Sequence, residues 1–135
     1  MNTRTTMAAL IAAGLLATLT ACGGTEEKGA SVDTPKAPAY TVANKDEKVK
    51  RGSVDLVVPD ATVDSAKAAI QDYAKGIGGA MENYSITVVR SDADGVYVCM
   101  GEWAKDEKAS QLYTAGRIKG DTWPAILMNC PDPKG

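Results

Sequence analysis

An α+β domain of two layers, one antiparallel or mixed sheet with two helices on one face, is the fold that three observations predict. Residues 53–58, Ser53-Val54-Asp55-Leu56-Val57-Val58, alternate as a strand does, with Val54, Leu56 and Val58 on one side. After the Pro59-Asp60 stop, Val63, Ala66, Ile70, Tyr73 and Ile77 recur at steps of three and four, which is one clean helical stripe. Residues 84–90 and 96–103 then read as two strands around Ser91-Asp92-Ala93-Asp94-Gly95, whose Asp-Gly pair favours a hairpin. With a second helix after Asp106 and a last strand over 125–130, the order is β-α-β-β-α-β. That is the split-βαβ, ferredoxin-like plan.

The elements can be taken in chain order. Residues 1–7 carry one charged side chain, Arg4, and residues 8–19 form an apolar run interrupted only by Gly14 and Thr18. The run has the length of an export signal and is too short for a stable membrane span. It ends in Leu19-Thr20-Ala21-Cys22, followed by Gly23-Gly24. This stretch resembles the lipobox of bacterial lipoproteins, and the chain is similar to small lipoproteins of actinobacterial type. The resemblance implies cleavage between Ala21 and Cys22, lipidation of Cys22 with diacylglycerol and an N-acyl chain such as palmitate, and residence on the extracytoplasmic side of the cell membrane. It brings no catalytic residues with it.

Cysteine parity points the same way. The chain has three cysteines, an odd number that normally leaves a spare thiol in an exported protein. With Cys22 consumed by lipid, Cys99 and Cys130 remain, and outside the cytoplasm such a pair is expected to be oxidised. A bond between them needs Cα atoms within about 7 Å. The usual ferredoxin-like strand order separates the third and fourth strands, so either Cys130 bends back or the fourth strand pairs with the third. The disulfide is the firmer constraint.

Three segments follow: a signal at 1–21, the lipidated Cys22 with a flexible linker at 22–47, and the domain at 48–135. Gly23-Gly24, Glu26-Glu27-Lys28, Pro35, Pro38 and Asn44-Lys45-Asp46-Glu47 give the linker too little apolar surface to order itself. Tyr40-Thr41-Val42 is its one apolar patch, able to dock on the domain. Within the domain, Thr62 or Asp60 can cap the first helix, and Gly76, Gly78 and Gly79 supply left-handed positions to end it. Asp106 can cap the second, which carries Ala109, Leu112, Tyr113 and Gly116 on one side. Gly120-Asp121 forms a turn, and Pro124 marks the start of the last strand.

Composition narrows the chemistry. There are 15 basic and 17 acidic residues and no His, so neither a nucleic-acid-binding stripe nor the commonest general base or zinc ligand is present. Asp92-Ala93-Asp94-Gly95 fails as a calcium loop, because Arg90 and Gly101 fall where positions one and twelve require carboxylates. Gly76-Ile77-Gly78-Gly79 follows a helix rather than opening one, so it does not cradle phosphate. Asp106 and Glu107 adjoin Lys105 and Lys108 and read as a solvated helix start. No catalytic residue, metal ligand or cofactor is assigned. The expectation is a lipid-anchored, non-enzymatic binding module for a protein or peptide partner, or a second copy of the chain. A small carboxylate-dependent envelope enzyme is the alternative.

Strand parity supplies the candidate binding residues. Val54, Leu56, Val58, Tyr84, Ile86, Val88, Val96, Val98 and Met100 are placed on the helix-covered face. The other face then carries Asp55, Val57, Ser85, Thr87, Val89, Tyr97, Cys99, Gly101 and Trp103, which is too apolar for an open sheet face. Tyr97 and Trp103 are the anchors expected there, the alternative being that Tyr40-Thr41-Val42 or the Pro-rich tail covers this face.

Overall fold

The computed structural model describes residues 35–93 and 95–134. The signal segment, Ala21, Cys22 and the first part of the linker lie outside the described residues, as does Asp94 of the hairpin. From Pro35 onward the chain is one compact unit. It runs β1 (Thr41–Glu47), β2 (Arg51–Val57), α1 (Val63–Ala74), β3 (Asn83–Val89), β4 (Tyr97–Ala104), α2 (Glu107–Thr114) and β5 (Ala125–Asn129). All five strands form a single mixed sheet in the order β1-β2-β3-β4-β5, with β2 and β3 parallel and the other pairs antiparallel.

Two features differ from the sequence expectation at the chain level. Residues 41–47, assigned to the flexible linker, are an ordered edge strand, so the domain starts well before residue 48. Backbone pairing drives this: β1 lies antiparallel to β2, with Val42 opposite Leu56 and Glu47 opposite Gly52, around a bulge near Asn44. Asn44 takes a positive φ of 46°, and its side-chain amide donates to Asp55 at 2.8 Å. Charged residues on the outermost strand, which weaken a core signal in sequence, suit an edge that must refuse further pairing. The strand order is also not ferredoxin-like. β5 pairs directly with β4, placing Met128 opposite Gly101 and Ile126 opposite Trp103.

α1 is built as its sequence suggests. Thr62 caps it through a reciprocal pair with Ser65: each residue's backbone N–H donates to the other's hydroxyl oxygen, at 3.2 and 2.9 Å. Its inner side, Ala66, Ala69, Ile70 and Ala74, is buried against β3 and β4. Small side chains let the helix lie close. A Cβ on Gly101 of β4 would come within 2.6 Å of the Ile70 Cγ2 atom, so this strand must carry glycine where the helix crosses it.

The two helices do not share a face. Tyr84, Ile86 and Val88 face α1 in the core, and their cross-strand partners Trp103, Gly101 and Cys99 face it too. Ala104, one residue on from Trp103, points the other way and clusters with Ala109 of α2 and with Ile118. Asp106 caps α2 by accepting from the Ala109 N–H at 2.8 Å, and Ala115 and Gly116 end it with φ of 54° and 72°. Only part of the expected α2 stripe is buried: Ala109 and Gly116 are covered, whereas Leu112 is 65% exposed.

The parity of β4 is the reason the assigned faces fail. Val88 pairs with Cys99, yet Val89 pairs with Tyr97, which leaves Val98 as an extra residue in a bulge. Val98 and Cys99 are consequently both buried, although they are adjacent in sequence. Val98 itself points inward as expected, whereas Val96, placed on the same face from its parity, lies before the strand and is exposed. Downstream, Met100 faces outward and Cys99, Gly101 and Trp103 face inward.

The disulfide joins Cys99 to Cys130, just past the end of β5. A second tie sits beside it. Arg90 donates to the Ala61 carbonyl from Nε and Nη2 at 3.0 and 2.6 Å and grips Asp132 with two parallel hydrogen bonds of 3.0 and 3.1 Å. The guanidinium holds the Asp132 carboxyl below the usual aspartate range. The loop leading into α1, the end of β3 and the C-terminal segment are thereby fixed at one corner.

The loop closed by the disulfide spans 31 residues, so the link should contribute roughly 3–4 kcal/mol in the chain-entropy view. Urea denaturation of Cys130→Ala is expected to show a loss of that order, and thiol titration of the folded wild-type domain should find neither Cys99 nor Cys130 reactive.

Candidate functional site

A groove of about 560 Å³ opens between β1 and the C-terminal end of α1. Its size falls within the range of small-ligand and side-chain pockets. One wall comes from Tyr40 and Lys45, the other from Tyr73, Ile77 and Met81, and Tyr84 forms the base. β1 creates the groove by extending the sheet beyond the reach of α1.

Tyr84 is 1% exposed, yet its hydroxyl reaches the groove. Its ring occupies the space that a Cβ on Gly52 would fill, so the glycine on the neighbouring strand admits it. The Tyr84 hydroxyl donates to Glu47 Oε1 at 2.9 Å, and its oxygen lies 3.1 Å from the Tyr73 hydroxyl. Because a phenol has one proton to give, Tyr73 donates to Tyr84 and Tyr84 to Glu47. The two rings meet at 52° with centroids 5.8 Å apart, a tilted arrangement that favours edge-to-face contact. Burial first, then these two hydrogen bonds, push the Tyr84 phenol well above its ordinary range, so it stays protonated.

Glu47 also bonds Lys45, at 3.1 Å. Lys45 and, after it, the Tyr84 hydroxyl keep the Glu47 carboxyl below its usual range. Across the groove, Tyr40 donates to Asp72 Oδ2 at 3.0 Å, and burial followed by that bond raises the Tyr40 phenol. The polar groups of the groove are thus paired with one another. What they leave toward a ligand is aromatic and aliphatic surface with a bound rim of charge. The surface that remains accessible is chemically suited to an apolar or aromatic side chain.

The expected anchors are placed elsewhere. Trp103 is 5% exposed and packs in the α1-side core, so it is not available to a partner. Tyr97 is half-buried beside the β4 bulge and does not line the groove. Cys99 and Cys130 are brought together, as a structural link within the core. Sequence reasoning missed Tyr40, Lys45, Glu47 and Asp72 as site residues and saw Tyr73 and Tyr84 only as core. The available signal was weak: Lys45 and Glu47 alternate as strand residues do, but the bulge at Asn44 hides the pattern.

Among the described residues no group of three or more His, Cys, Asp or Glu side chains could hold a metal ion, and no helix is long and apolar enough to cross a membrane. Compared with known proteins, the chain matches no family model, no curated protein and no solved structure.

The Glu47 carboxyl provides a direct check of this wiring. Because its folded pKa is depressed, its contribution to stability is complete above the ordinary glutamate range and is lost as pH falls through the folded value. In a carboxyl-resolved NMR titration, Lys45→Met should return the Glu47 pKa toward the ordinary value by more than Tyr84→Phe does, and both should flatten the acid limb of stability. An unchanged titration in both variants would refute the assigned network.

Proposed function

We propose that this chain is a lipid-anchored, extracytoplasmic lipoprotein whose domain binds a protein or peptide partner without transforming it. The observation that supports binding is the groove between β1 and α1. It joins Tyr40, Tyr73, Ile77 and Met81 on accessible walls while its carboxylates and hydroxyls are already satisfied by each other. Aromatic walls around a desolvated base are where an anchor residue gains most of its free energy. The anchor rests on Leu19-Thr20-Ala21-Cys22 and on the pairing of Cys99 with Cys130, which leaves Cys22 as the chain's unpaired cysteine for lipid.

Two or three acyl chains at about 0.8 kcal/mol per buried methylene would hold the mature protein on the membrane, where one chain gives only reversible attachment. Cys22→Ser is expected to accumulate as an unprocessed or shed form. A variant that still partitions as a mature, detergent-phase species would rule out lipidation at Cys22.

The groove is tested separately. Nothing lies within 4 Å of a Cβ built on Gly78 at the groove's rim, so Gly78→Trp should fold normally and fill the space. A partner extracted from the envelope should raise the melting temperature of the wild type and not of Gly78→Trp, and should be recovered chemically unchanged. Recovery of a cleaved or modified ligand would replace binding with catalysis.

A further inference from the structure

We infer that a second cavity, on the opposite face of the sheet, is a binding site for an oxyanion, a phosphate or carboxylate group carried by a ligand. The cavity holds about 410 Å³ and lies over the register row Ser53–Ser85–Glu102, beside Arg51 and Tyr113. It does not depend on the groove or on the lipid anchor.

The inference rests on which polar groups are spent and which are not. Glu102 accepts twice from Arg117 Nη2, at 3.0 and 2.8 Å, and so enters the cavity neutralised. Asp46, at the other end, is paired with Lys48 at 3.5 Å. The Asn83 amide is committed to the Trp103 carbonyl at 3.0 Å. Glu82, next to the cavity, is taken up by Lys50 and by the Tyr113 hydroxyl. Arg51 is the exception. Among the described residues it makes no side-chain hydrogen bond or ion pair, and its guanidinium carbon lies 5.4 Å from the Tyr113 ring centroid.

The guanidinium lies at cation–π distance from the ring, and none of its N–H groups is donated to another side chain among the described residues. Tyr113 in turn is held by its bond to Glu82, so the cation rests against an aromatic ring that is itself fixed. Ser53 and Ser85 are register partners on neighbouring parallel strands and both line the cavity, and neither makes a side-chain hydrogen bond among the described residues. Neighbouring strands run about 5 Å apart, so two hydroxyls so placed can donate to two oxygens of one anionic group. A cationic fork with unspent donors and two unspent hydroxyls lining one cavity supply the donor types that carboxylate and phosphate recognition uses. The neighbouring carboxylates, each with its own cation, do not oppose it.

Inorganic phosphate is the probe, titrated into the full chain at constant ionic strength with chloride as the balancing anion and followed by amide NMR. Saturable shifts confined to residues 51–53 and 83–85 are expected. Arg51→Ala and the double variant Ser53→Ala/Ser85→Ala should each weaken binding by about tenfold, the worth of one charge-assisted contact. Arg51→Lys should recover only part of it, because the charge stays and the fork is lost. Dibutanoyl phosphatidylglycerol identifies the source: tighter binding than phosphate assigns the site to a lipid headgroup, weaker binding to a soluble ligand. These surface variants should unfold at the wild-type midpoint. The absence of saturable shifts, or shifts spread over the surface lysines and indifferent to Arg51→Ala, would overturn the proposal.

Discussion

The link between Cys99 and Cys130 is the constraint from which the rest of the domain follows. It requires the strand that ends before Cys130 to lie beside the strand that holds Cys99, so β5 closes the sheet next to β4. With β5 there, the position beside β2 on its outer side is vacant, and β1 takes it. A ferredoxin-like order would have placed the last strand next to the first and left no place for residues 41–47. The covalent tie also decides which side of β4 is the inside. Cys99 must face the core together with Gly101 and Trp103, and the bulge at Val98 lets that residue turn inward as well. The Arg90 clamp on Asp132 and Ala61 then fixes the segment beyond Cys130 to the start of α1.

Much of this fold was legible in the sequence, and the parts that were not have definite causes. The stripe of α1 and its Thr62 cap carry strong local signals, since a helix buries one side and its first N–H groups need acceptors. The disulfide follows from parity of cysteines. β1 was illegible because Asn44-Lys45-Asp46-Glu47 has the composition of a solvated linker, and only pairing with β2 orders it. The face of β4 was illegible because both phases of Val98-Cys99-Met100-Gly101-Glu102-Trp103 are apolar enough to be the inner one. A bulge cannot be read from alternation. That single ambiguity put Trp103 on the expected open face instead of in the core, whereas the expectation of both helices on one face came from the ferredoxin-like plan.

The groove and the cavity were hidden for a related reason: each is assembled from residues whose proximity depends on β1 or on α2's position. Tyr40 and Asp72 are far apart in sequence and meet across the groove only once β1 extends the sheet. Arg51 and Tyr113 meet only because α2 crosses to the face opposite α1. Local sequence carries no trace of either meeting.

The two sites differ in a way that bears on what each can do. In the groove, Tyr73, Tyr84, Glu47 and Lys45 form one connected chain of hydrogen bonds, so a ligand entering there meets polar groups that would have to break existing bonds to serve it. Breaking them costs about as much as a new bond returns, which leaves apolar contact as the source of affinity. In the cavity under α2 the balance is reversed. Among the described residues Arg51, Ser53 and Ser85 spend none of their side-chain donors on other side chains, so a ligand oxygen gains those bonds without displacing any. Affinity for surface in one place and for charge in the other follows from the same sheet, whose two faces were divided when the disulfide fixed the phase of β4.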